Sequence, residues 1–157
     1  MDKTYADTVR LLLAVAPDVF ANDIFAMKGG TAINLFVRDM PRLSVDIDVV
    51  YLPWQTPRDE ALQAINQELA AIATRVAPLG VQTRLVRAKD LGDTKLVVEN
   101  DASQVKIEVN VVFRGSVLPV ERRPLSAKTS DLFGVEFELP VLAPDELYAS
   151  KLVAALD

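Results

Sequence analysis

Residues 26–51 read AMKGGTAINLFVRDMPRLSVDIDVVY, and the fold and chemistry of the chain are decided there. In the last seven residues, Val45, Ile47 and Val49 alternate with Asp46, Asp48 and Val50. Alternation with β-branched residues predicts a strand. Side chains two apart on a strand share a face, so Asp46 and Asp48 stand side by side, about 6–7 Å apart at Cα. Carboxylates this close repel unless a cation or a proton lies between them. Hard oxygen donors suit Mg²⁺, which takes one or two carboxylates and completes its shell with phosphate oxygens and water. A bare Asp-x-Asp also suits a strand whose outer face meets solvent.

Upstream, Ile24 to Met27 reads as a short apolar strand and Ala32 to Arg38 as a short helix, with Lys28-Gly29-Gly30-Thr31 between them. A glycine pair between strand and helix lets the backbone approach a ligand closely. Thr31 is placed to cap the helix, and free N–H groups at a helix start favour phosphate. Glycine here also suits a tight turn needing only its dihedral freedom. A phosphate cradle one short helix away from a carboxylate pair is a more specific signal than either part alone.

GGTA followed by R-x-S-x-D-x-D (Arg42, Ser44, Asp46, Asp48) resembles the nucleotidyltransferase superfamily, and within it the AbiEii-type toxin family of type IV toxin–antitoxin and phage-abortive systems. The resemblance extends from about Phe25 to the C-terminus and is most specific over residues 28–48. It implies a nucleotidyltransferase-like fold, with Gly29, Gly30 and Thr31 cradling the triphosphate, Ser44 touching phosphate and Arg42 bracing the turn. Asp46 and Asp48 would hold catalytic Mg²⁺ or Mn²⁺. Glu108, in VKIEVN, falls where the superfamily places a third metal-binding carboxylate on a neighbouring strand. Lys151, in the segment ELYASKLVAALD, matches a functional lysine that contacts phosphate or assists the transfer. One departure is Gly30-Thr31 where the superfamily often has Gly-Ser; the hydroxyl is retained.

The activity so implied moves a nucleoside monophosphate from an NTP to an acceptor hydroxyl, with RNA, tRNA among it, as acceptor and a cognate antitoxin as partner. Two alternatives stay open: a non-catalytic nucleotide- or partner-binding module, and transfer to a small molecule such as an antibiotic. The chain stops inside a helical pattern at Asp157. The expectation is therefore a single domain over residues 1–157, truncated before the family's helical C-terminal half.

Composition narrows the chemistry. The 157 residues, half of them hydrophobic, suffice for one folded domain. With no cysteine and no histidine, disulfides, thiolate or imidazole metal sites and histidine base catalysis are excluded. Carboxylates and lysines remain. The net charge of −5 argues against a broad nucleic-acid footprint. Basic residues gather loosely as Arg75, Arg84, Arg87 and Lys89, and as Arg114, Arg122, Arg123 and Lys128. The opening MDKTYADTVR is no signal peptide, and no apolar run approaches the roughly 18 residues of a membrane span. A cytoplasmic protein is expected.

The remaining elements follow from periodicity. Thr4 to Ala16 predicts a helix ended or kinked by Pro17. Thr56 as N-cap, Pro57 at the first position and Asp59 in the first turn announce a second, with Leu62, Ile65, Leu69, Ile72 and Val76 as its stripe and Pro78 and Gly80 at its close. Trp54, in the loop before it, is read as a packing residue with stacking on a base as its alternative. Strands are predicted at Val81–Arg87, Lys95–Glu99, Gln104–Phe113 and Val135–Leu142, with a hairpin turn at Asn100–Ser103. Ser116 to Ser130 reads as irregular, and Pro144-Asp145-Glu146 as the start of a last helix. The whole predicts an α/β (α+β) domain: a mixed, largely antiparallel sheet with helices packed against it.

Overall fold

The computed structural model describes residues 3–32, 46–87, 93–111 and 113–156. In chain order the described elements are α1 (Lys3–Val19), β1 (Phe25–Lys28), α2 (Gly29–Ala32), β2 (Asp46–Tyr51), α3 (Arg58–Val76), β3 (Gln82–Val86), β4 (Asp93–Glu99), β5 (Gln104–Asn110), β6 (Glu121–Pro124), α4 (Ala127–Phe133), β7 (Glu138–Val141) and α5 (Pro144–Leu156). The seven strands form one sheet in the order β3-β4-β5-β2-β1-β7-β6. β2 runs parallel to β5, and β1 to β7; the other four pairings are antiparallel. The mixed, largely antiparallel sheet is as the sequence predicts.

The alternation of β2 and β5 sorts the sheet into two chemically different faces. Ile47 and Val49 on β2, Val105, Ile107 and Val109 on β5, and Leu96 and Val98 on β4 are buried. Their face is covered by α1 and α3, which also touch each other. The helical stripe of Ile65, Leu69, Ile72 and Val76 is fully buried there. Each such aliphatic side chain contributes about 1.5–3 kcal/mol by leaving water, which commits α3 to that face. The opposite face carries Asp46 and Asp48, Lys106 and Glu108, and Lys95, all half-buried. α2 lies against β2, and α5 packs on α2.

Several boundaries differ from the predicted ones for identifiable reasons. α1 continues through Pro17 to Val19, because a proline near a C-terminus forfeits only one late hydrogen bond. The helix after the glycine pair starts at Gly29 itself, three residues before the predicted start; residues 33–38 of that prediction lie outside the described residues. α3 has Pro57 as N-cap and no side-chain cap. Thr56 does not cap it: its carbonyl accepts a hydrogen bond from Arg114 Nη1 at 2.6 Å. The helix closes through a 3₁₀ turn, Ala77–Leu79, and Gly80 in the left-handed region at φ 77°.

β5 ends at Asn110, short of the predicted Phe113. Asn110 Oδ1 accepts the Phe113 N–H at 3.0 Å, turning the chain so that Phe113 is 71% exposed. The stretch 116–130 is not irregular: it holds β6 and the start of α4. Ser126 caps α4 by accepting the Thr129 N–H at 3.3 Å, and Gly134 closes it at φ 65°. The final strand is shorter than predicted, Glu138–Val141. It keeps buried Pro140 inside it, opposite Arg122 of β6. The Asn100 turn forms as predicted, with Asn100 Oδ1 accepting from Ala102 and Ser103 N–H groups. Among the described residues no helix is long and apolar enough to cross a membrane.

Candidate functional site

The site is built where β1, β2 and β5 lie side by side. In the parallel β2–β5 ladder, Asp46 pairs with Lys106 and Asp48 with Glu108. In the antiparallel β1–β2 ladder, Lys28 pairs with Asp48. Paired residues share a face and sit one strand spacing apart, about 4.8 Å. Asp46, Asp48 and Glu108 thus occupy adjacent positions on the open face, with Lys28 and Lys106 flanking them. Glu108, predicted only through the resemblance, is next to Asp48 in register.

Helix α2 begins at the end of β1 and against this face. Gly29 takes φ +84°, and a Cβ on it would collide with Oδ2 of Asp48. The glycine is required twice, by its dihedral and by the closeness of the carboxylate. Gly30 has nothing within 4 Å of its would-be Cβ and is exposed. Thr31 is buried and does not cap the helix. Its hydroxyl donates to the backbone carbonyl of Asp46 at 2.6 Å, which ties α2 to the first residue of β2. The predicted threonine cap is therefore a clamp between the glycine turn and the aspartate strand. Thr31 cannot cap because the helix starts at Gly29, three residues earlier than such a cap requires.

Glu108 already has a partner. Lys95, its neighbour on β4, places Nζ 3.3 Å from Glu108 Oε1. Among the described residues no three acidic side chains are gathered tightly enough to enclose a metal ion. The donor set nevertheless matches a hard divalent cation in kind: carboxylate oxygens on rigid adjacent strands, a backbone approach kept open by Gly29, and no cysteine or histidine in the chain to offer a thiolate or an imidazole.

The other predicted site residues are distributed as follows. Lys151 is on α5, the helix packed against α2; its side chain lies outside the described set. Ser44 and Arg42 lie outside the described residues, as does Lys89 of the first basic group. That group does not form a patch: Arg75 turns inward to Glu68 at 2.6 Å, while Arg84 and Arg87 are exposed. In the second group Arg114 is held by Thr56, Arg123 pairs with Glu121 at 3.2 Å and Arg122 donates to the Glu138 carbonyl. Trp54 is 62% exposed, with its Cβ where a Cβ on Gly115 would come within 2.7 Å. Sequence reasoning passed over Lys28, Lys95 and Lys106 as part of the site. Their signal was present, since Lys106 alternates in phase with Glu108 and Lys28 abuts the glycine pair.

Over residues 10–157 the chain matches the family described as nucleotidyl transferase AbiEii toxin, type IV TA system. It belongs to the AbiEii family. The Gly-Gly-Thr turn, the Asp-x-Asp strand and the Glu108 strand all lie within the matched region. Comparison with curated proteins returns no match.

Proposed function

We propose that this AbiEii-family chain is a metal-dependent nucleotidyltransferase, moving a nucleoside monophosphate from an NTP to an acceptor hydroxyl as the toxin of a toxin–antitoxin pair. The observation that carries the reading is the register placing Asp48 between Asp46 and Glu108 on one open sheet face, with Gly29 against its carboxylate. Family membership supports the reaction class and a cognate antitoxin as partner.

In this reading Asp46 and Asp48 would hold Mg²⁺ or Mn²⁺, with Glu108 as the third carboxylate. When bound, the cation supplies activation of the acceptor oxygen and neutralisation of charge on the departing pyrophosphate. Gly29, Gly30 and Thr31 form the wall beside which the triphosphate lies, and the cations of Lys28 and Lys106 attract its oxygens. The acceptor hydroxyl loses its proton to solvent as its oxygen attacks the α-phosphorus, the bond from the α-phosphorus to the α–β bridging oxygen breaks, and pyrophosphate leaves. Ser44 and Lys151 are further phosphate contacts, and Arg42 braces the turn. RNA, tRNA among it, is the acceptor class suggested by the resemblance.

The test is calorimetric titration of Mg²⁺ or Mn²⁺ with each NTP, beside an Asp46→Asn, Asp48→Asn double variant, followed by labelled-nucleotide transfer to RNA. Metal-dependent binding lost in the folded double variant, with label appearing on RNA, is expected. Binding without label on any acceptor points instead to a nucleotide-binding module. Label on an aminoglycoside but not on RNA points to the small-molecule enzyme.

A further inference from the structure

Four strands present one row of charge across the open face: Lys28 on β1, Asp48 on β2, Glu108 on β5 and Lys95 on β4. Within this row Lys95 Nζ and Glu108 Oε1 form an ion pair at 3.3 Å. The pair is partly withdrawn from water, with the side chains of Lys95 and Glu108 37% and 21% exposed. An ammonium and a divalent cation compete for the same carboxylate oxygens. Glu108 therefore cannot keep its bond to Lys95 and also close on a cation held by Asp46 and Asp48.

We propose that Lys95 is a positioning residue that holds Glu108 off the cation site, so that the site closes only when the metal displaces the lysine. The inference rests on the metal-binding reading of Asp46, Asp48 and Glu108. In the metal-free protein Lys95 offsets one of three neighbouring negative charges, and it lowers metal affinity by the strength of its pair with Glu108. Asp48 lies two strand spacings from Lys95, about 9.6 Å, and Glu108 only one. The shorter route for the influence of Lys95 is therefore through Glu108.

The experiment is Mn²⁺ titration without nucleotide at physiological salt, read from the spin resonance of the free ion, on variants checked for folding by circular dichroism. Lys95→Met is expected to bind Mn²⁺ about three- to fivefold tighter, the scale of a partly exposed ion pair. Lys95→Arg, which keeps the pair, is expected to stay close to the parent. In a Glu108→Gln background, Lys95→Met is expected to change nothing, as a double-mutant cycle requires if the coupling runs through Glu108. Normal binding by the parent with no gain in Lys95→Met, or a gain that persists with Glu108→Gln, overturns this inference alone. A parent that binds no Mn²⁺, or binds it equally well as the Asp46→Asn, Asp48→Asn variant, overturns the metal reading and this inference with it.

Discussion

The Cβ that Gly29 lacks would occupy the space of the Asp48 carboxylate. One residue thus sets both the start of α2 and the position of the central acid. Gly29→Ala introduces a side chain at φ +84° and drives it into Asp48. A cost of about 1–3 kcal/mol in urea unfolding is expected from the dihedral alone, with further loss from the collision. Gly30→Ala meets nothing within 4 Å and lies inside the helix, where alanine is favoured by about 0.5–1 kcal/mol. The two variants should move the unfolding midpoint in opposite directions. Equal destabilisation by both would mean that the contact between Gly29 and Asp48 is not what selects glycine.

Glu68 is a buried acid on the core-facing side of α3, 6% exposed. It accepts from Asn22 Nδ2 at 2.9 and 2.7 Å and from Arg75 at 2.6 Å, while Arg75 Nε donates to the Asp18 carbonyl at 3.0 Å. The network fastens α3 to the end of α1. Glu68→Ala leaves a half-buried guanidinium without its counter-charge, and breaking a buried pair costs about 3–5 kcal/mol. Arg75 is a quarter exposed, so the lower half of that range applies. Replacing the pair together, Glu68→Leu with Arg75→Met, should recover most of the loss, since an apolar pair of similar volume is often neutral. Thermal unfolding of the single and double variants measures both.

Glu68 also marks where sequence reading stopped. The stripe from Ile65 to Val76 was legible because aliphatic residues recur at helical spacing, but a charged residue at an inward position carries no such signal. The two-faced sheet was legible for the same reason, from alternation in β2 and β5. What alternation could not supply was register. Asp48 beside Glu108 depends on β2 and β5 pairing in parallel across a chain separation that includes α3, β3 and β4. A shift of one residue would have put Glu108 on the other face. The resemblance, not the spacing, pointed to Glu108. Thr31 shows the opposite case: the residue was singled out correctly but for capping, because the helix start lay at Gly29 rather than Ala32. The Ser126 cap and Gly134 closure of α4 were readable and were passed over, masked by the prolines around them.

Without metal, Asp48 faces Glu108 across about one strand spacing and Asp46 about 6–7 Å along its own strand, and the three carboxylates repel one another. Asp46→Asn is expected to leave the metal-free protein as stable as the parent or more stable by a few tenths of a kcal/mol, the scale of exposed charge interactions. Added Mg²⁺ should raise the melting temperature of the parent by mass action and leave that of Asp46→Asn nearly unchanged. A drop in metal-free stability on Asp46→Asn would show that the carboxylate is held by structural hydrogen bonds rather than kept for a cation.

Tyr5 packs on the core from α1, and its hydroxyl is buried without a hydrogen-bond partner among the described residues. Burial disfavours the tyrosinate and pushes the pKa from 10.0 up to about 12. Between those values the folded protein keeps a proton that the unfolded chain has lost, so the stability Tyr5 contributes is complete below pH 10 and falls away as pH rises toward about 12. Tyr5→Phe removes both the buried hydroxyl and this dependence. The tyrosinate absorbance of the parent minus that of Tyr5→Phe isolates the single residue, and its midpoint is expected near 12. A midpoint close to 10 would mean that water reaches the hydroxyl, and the alkaline loss of stability would then be the same in both proteins.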